Sequence, residues 1–200
     1  MLDAVFESQY PTYSFTAEWS PGVALAQMSN GSGDLYAIVF EAAGVFLYGF
    51  DHESEVSPWR DEDHEHWPGL LDGLPDSLAH WAREPAFLFQ DFFDATVCAW
   101  RAADDVAWRC GPVEFEEASV DPDGAEHLFG TLMAGTAAAY AEYARDYFER
   151  DIDIDAVGAV LDGRPLTTAV VGALNADAVY ADVARTAAAV GYPLEGEVQP

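Results

Sequence analysis

The sequence predicts an α+β protein: an antiparallel β-sheet in the N-terminal part, packed against C-terminal helices. Three observations carry this expectation. Residues 34–41 and 44–50 are two runs rich in β-branched and aromatic side chains, separated only by Ala42 and Ala43, as in a hairpin. From about residue 120 the apolar spacing changes. Leu128, Phe129, Leu132, Met133, Tyr140, Tyr143, Ala144 and Tyr147 recur at helical intervals. The strand signals precede the helix signals and do not alternate with them, which argues against a βαβ arrangement.

The elements follow in order. Tyr13, Phe15 and Ala17 alternate with polar neighbours and suggest a short strand. Turn signals stand at Ser20-Pro21-Gly22 and at Asn30-Gly31-Ser32-Gly33. After the hairpin, residues 51–69 form an acidic, histidine-bearing loop. Residues 69–84 show a helical pattern broken at Pro75 and stopped by Pro85. Short strands are expected at 86–90, 94–101, 105–110 and 112–116, making a sheet of about five or six strands. Asp121-Pro122-Asp123 is a helix-start signal, with acids placed to favour the positive N-terminal dipole. Gly130 and Gly135 divide the helical stretch that follows. Further helices are expected near 155–161, 167–174 and 177–190, and Gly191-Tyr192-Pro193 ends the last. We read one domain, β-rich over 1–118 and helical over 119–193, with a tail at 194–200.

Composition excludes several functions. Thirty-six acids face eight bases, giving a formal net charge of −28, and every base is arginine. Without lysine there is no Schiff-base chemistry, no P-loop and no protein-kinase site. A chain this acidic repels polyanions, so neither nucleic acid nor an anionic membrane surface is an expected partner. No apolar run approaches the length of a membrane span, and the first residues carry acids where a signal peptide needs bases, so a cytoplasmic location is expected. Cys98 and Cys110 are too few for a disulfide framework. They flank an expected turn at Ala103–Asp105 that would set them opposite one another, and two unlinked thiols are expected.

Candidate sites lie mainly in the loop from Asp51 to His66. His52, His64 and His66, among carboxylates, offer ligands for a divalent metal such as zinc or manganese, although their spacing matches no established metal motif. His52 with Asp51 or Glu53 has the composition of an acid–base pair, yet no nucleophile stands in a recognisable frame. Asp151, Asp153 and Asp155 resemble the start of a calcium loop, but Ala156 occupies the position that needs glycine. Residues 51–66 hold seven acids and one arginine, and residues 114–126 hold six acids and no base. Glu53, Glu55, Asp61, Glu62, Asp63, Glu114, Glu116, Glu117, Asp121 and Asp123 are therefore the expected partner-facing acids. Trp59 is the expected apolar anchor, whereas Trp81, Trp100 and Trp108 are expected in the core.

Two stretches resemble small, uncharacterised acidic proteins of high-GC bacteria. One runs from Asn30-Gly31-Ser32-Gly33-Asp34 to Gly44-Val45-Phe46-Leu47-Tyr48-Gly49-Phe50-Asp51-His52-Glu53-Ser54. The other runs from Arg164-Pro165-Leu166-Thr167 through Ala173-Leu174-Asn175 to Gly191-Tyr192-Pro193. In type rather than motif, the chain is similar to immunity proteins of bacterial toxin systems. That likeness implies a non-enzymatic protein that neutralises a basic protein partner, a toxin for example, and needs no cofactor. The alternative is a metal-binding protein or metal-dependent hydrolase built on the 51–66 loop.

Overall fold

The hairpin is the centre of the sheet. In the computed structural model, which describes residues 1–6, 11–115 and 120–196, β3 (Leu35–Glu41) and β4 (Gly44–Phe50) pair antiparallel with Leu35 opposite Phe50 and Glu41 opposite Gly44. Ala42 and Ala43 make the turn, and Gly44 takes the unusual backbone at φ +145. A Cβ there would stand 2.3 Å from the Arg101 carbonyl oxygen, so only glycine fits. With β1 (Tyr13–Ser20), β2 (Val23–Ser29) and β5 (Val97–Ala102), the five strands lie in sequence order as an antiparallel sheet.

Register explains the core. Leu25, Val39, Phe46 and Trp100 sit opposite one another in successive strands and form one buried row; Ala37, Tyr48 and Cys98 form the next. Because side chains alternate across a strand, these rows share one face. The segment between β4 and β5, residues 51–96, covers that face with Leu70, Leu78, Trp81, Phe87 and Phe93. It contains only turns and two short 3-10 turns, Trp81–Arg83 and Pro85–Phe87, among isolated bridges. On the other face, Leu128 and Phe129 of α2 (Ala125–Ala134) lie against Gly49, and Phe129 meets the Tyr36 ring at 4.8 Å.

Several expectations are corrected here. The 69–84 pattern yields turns rather than a helix, because Gly69 and Gly73 take positive φ and Pro75 interrupts the ladder. Residues 86–90 form no strand: Phe87 is buried as a core plug without lateral pairing. Residues 103–115 make one isolated bridge, Arg109 with Trp100 of β5, in place of strands at 105–110 and 112–115; residue 116 lies outside the described residues. That bridge sets Cys98 and Cys110 out of register. Cys98 is buried, Cys110 is exposed, and both are free thiols. Trp108 is 50% exposed rather than core. Strand β2, between the two turn signals, and the short α1 (Leu2–Val5) were not predicted.

The chain divides into two compact units: Glu18–Phe129, just described, and Met1–Ala17 with Gly130–Pro200. The second unit has its own apolar core. α3 (Ala137–Phe148) contributes Tyr140 and Ala144, α4 (Ile154–Leu161) Val157 and Val160, α5 (Thr168–Leu174) Val171 and Leu174, and α6 (Tyr180–Ala189) Val183 and Ala187. Leu2, Val5 and Phe6 complete it, with Phe6 stacked on Phe148. Thr136, Asp153 and Thr167 cap α3, α4 and α5 by accepting from backbone N–H groups. Asp153 thus has a capping role in the stretch that resembled a calcium loop. Asp3 is buried; it accepts from the Tyr140 hydroxyl at 2.7 Å and from the Tyr13 backbone at 2.9 Å. No described helix is long and apolar enough to cross a membrane.

Candidate functional site

Asp34 immediately precedes β3, and protein groups take the place of water around its carboxylate. It is 5% exposed. Oδ1 accepts from His52 Nδ1 at 2.7 Å and from the His52 backbone at 3.2 Å. Oδ2 accepts from Asn30 Nδ2 at 2.7 Å and from His127 Nε2 at 3.1 Å. A carboxylate has no proton to give, so both imidazoles donate at these nitrogens. Burial alone would raise the Asp34 pKa. The bonds from His52, His127 and Asn30 outweigh it and hold the carboxyl at about 2. The same hydrogen bond raises the pKa of His52, which also feels Glu53 and Asp51.

Local sequence builds this knot. Asn30 Oδ1 accepts from the backbone of Ser32 and of Asp34, closing the glycine-rich turn before β3. Asp51 and His52 follow the end of β4, the neighbouring strand. His127 arrives on α2, whose start is fixed by two aspartates. Asp121, at φ +53, accepts from the backbone of Glu126 and His127, each at 2.8 Å, and Asp123 accepts from Ala125 at 3.1 Å. Two buried hydroxyls fasten this loop to the sheet. Ser54 donates to the Pro122 carbonyl and Thr96 to the Asp123 carbonyl, both at 2.7 Å. Asp51 packs so closely on Gly124 that a Cβ there would stand 2.3 Å from its Oδ2.

A second feature is a cavity of about 400 Å³ on the core face of the same unit. Tyr48 and Phe50 of β4 line it, with Phe87, Phe89 and Trp59 from the covering segment, and Asp94 is the charged residue in its wall. Trp59 and Phe89 are 46% and 56% exposed, although their rings lie 6.0 Å apart in edge contact. The Trp59 and His64 rings meet at a tilt, centroids 4.0 Å apart, and His64 and His66 both lie against Phe92. His64 Nε2 is 3.3 Å from Asp94 Oδ1, and His66 Nε2 donates to the Phe93 carbonyl. Arg60 ties the loop together. Its guanidinium donates to the carbonyls of Ser57 and Glu65, pairs with Asp61 at 3.4 Å and lies over the Trp67 ring.

The structure thus separates the residues singled out by sequence. His52 belongs to the Asp34 knot, whereas His64 and His66 belong to the aromatic loop. The metal-ligating side chains that converge among the described residues are Asp34, Asp51 and His52. Glu53, Glu55, Asp61, Glu62 and Asp63 are exposed, beside Trp59 in sequence. Glu114 is exposed, and its carbonyl accepts from Trp67 Nε1. Asp121 and Asp123 cap α2. Glu116 and Glu117 lie outside the described residues. Asp34, Asp94, Phe89 and His127 were missed. Asp34 had one legible signal, the Asn-Gly-Ser-Gly turn before it. His127 had none, because it joins Asp34 across 93 positions of sequence.

Compared with protein-family models, with curated proteins and with solved structures, the chain gives no match.

Proposed function

We propose that the protein is a non-enzymatic binding protein that engages a basic protein partner through the 51–66 loop, in the manner of an immunity protein. The observation that carries this reading is the pair of half-exposed aromatic rings, Trp59 and Phe89, in edge contact, with the exposed acids Asp61, Glu62 and Asp63 following Trp59 in the same loop. An exposed aromatic anchor in an acidic loop has the composition of a steered interface: the acids speed encounter and the rings supply buried area. The arginine nearest this acid run, Arg60, is spent on Asp61 and on loop carbonyls. The test is the association rate of the purified chain with a basic protein eluted from native cytosol. Reversing Asp61, Glu62 and Asp63 to arginine should lower the rate about tenfold or more at low salt and flatten its salt dependence. Trp59→Ala should instead raise the dissociation rate. An unchanged rate and salt slope in the charge-reversal variant would sink the electrostatic account.

The convergence of Asp34, Asp51 and His52 favours a second reading, a divalent cation held there. Asp34 already accepts four hydrogen bonds, so a cation must displace one imidazole. Zinc or manganese retained stoichiometrically by untagged protein, and lost in Asp34→Asn but not in a His64→Ala, His66→Ala double variant, would establish it.

A further inference from the structure

We infer that the cavity between β4 and the covering segment receives an arginine side chain of the partner, its guanidinium set against Asp94 and its stem along the aromatic wall that Trp59 and Phe89 help to line. The inference rests on the binding reading above and names what enters the site. Asp94 is the charged group of the cavity. Its residue is 8% exposed, it stands in a wall otherwise made of Gly33, aliphatic and aromatic side chains, and no arginine lines the cavity. A buried carboxylate is costly unless a cation or several donors meet it. Among the described contacts, Oδ1 has His64 at 3.3 Å. A ligand bearing positive charge complements this carboxylate, the one charged group of an otherwise apolar wall.

The walls select the kind of cation. Trp59, Phe89, Tyr48, Phe50 and Phe87 present ring faces and edges, which attract a cation through their quadrupoles. A guanidinium is planar, stacks on such faces and sheds its hydration more readily than an ammonium. Its three-carbon stem is apolar and suits the aliphatic part of the wall. The volume, about 400 Å³, lies in the ordinary range of ligand pockets. The exposure of Trp59 and Phe89 places them where an incoming side chain passes first. With no lysine in the chain and a net charge of −28, the surrounding field favours cations over anions and neutral ligands.

The experiment titrates N-acetylarginine amide, N-acetyllysine amide and tetramethylammonium into the full chain, following the indole N–H resonance of Trp59. The arginine compound should bind with Kd on the order of 1 mM, as a fragment of an interface does, and the lysine compound several-fold more weakly. Asp94→Asn should weaken arginine binding about tenfold. Because a buried substitution can perturb folding, Phe89→Ala serves as the second variant at an exposed site and should weaken binding several-fold. No shift at Trp59, equal affinity for the three cations, or full affinity in both variants would overturn the inference. Binding of the basic partner that free arginine amide fails to compete would also overturn it, while leaving the binding reading intact. Arginine binding without any associating basic protein would do the reverse.

Discussion

Replacing Asp34 by asparagine removes one buried charge from the sheet unit while keeping the side chain's shape. Its cost can be worked from the bonds it makes. Holding the carboxyl at about 2 rather than 3.8 is worth about 2 kcal/mol at pH values above both. The amide also turns an N–H₂ toward two of the four donors, which adds about 1 kcal/mol for the lost bonds. Asp34→Asn should therefore cost about 2–4 kcal/mol near pH 5.5. The pH dependence separates charge from shape. A depressed carboxyl contributes stability above its unfolded value, lost as pH falls through 3.8 toward 2, so the gap between wild type and variant should shrink to about 1–2 kcal/mol at pH 2.5. His52 runs oppositely. Its raised pKa gives stability that is full below 6.5 and fades as pH rises through its folded value, so the gap should narrow again in mild alkali. Urea unfolding followed by tryptophan fluorescence measures this, because all six tryptophans lie in Glu18–Phe129. A gap that stays constant from pH 2.5 to 8.5 would show that the knot acts by shape and refute the charge argument.

Other expectations follow from the same contacts. Gly44→Ala should cost about 3 kcal/mol or leave the protein unfolded, since both φ +145 and the Arg101 carbonyl 2.3 Å away oppose a Cβ; denaturation midpoints report it. In a thiol-labelling assay Cys110 should react at once and Cys98 only on unfolding, because burial excludes reagent and pushes the Cys98 thiol up; equal rates would contradict the buried row. Ser54→Ala should cost about 1–2 kcal/mol through loss of the bond to the Pro122 carbonyl, and amide exchange at the start of α2 should speed up with it.

What was legible in the sequence was local. The hairpin announced itself because Val39, Phe46 and Tyr48 combine strand propensity with alternation. The start of α2 was readable because Asp121 and Asp123 act within six residues of themselves. Strand β2 was hidden because Ala24, Ala26 and Gln27 have little strand preference and gain their place from pairing with β3. The covering segment misled in the opposite way. Leu70, Leu71 and Leu74 have helical spacing, but Gly69 before them and Gly73 among them take positive φ and turn the chain, so apolar content marks burial without marking an element. The acid–histidine loop stood out by composition, yet composition gave one cluster where the fold makes two. Partners for His52 and His64 come from residues 34 and 94, and nothing local specifies either.

The long excursion of residues 51–96 has a consequence for the order in which the chain takes shape. Strands β1 to β4 are joined by short turns and pair with little loss of chain entropy, whereas β5 must return across the whole excursion to meet β4. During synthesis, the aromatic face of Phe46 and Tyr48 therefore emerges from the ribosome before Phe87 and Phe93, the groups that will cover it. For that interval the open strand edge of β4 invites pairing with other chains. The run from Asp51 to Glu65 emerges directly behind β4, and its seven acids act as a gatekeeper there, repelling a second copy while the cover is still being made.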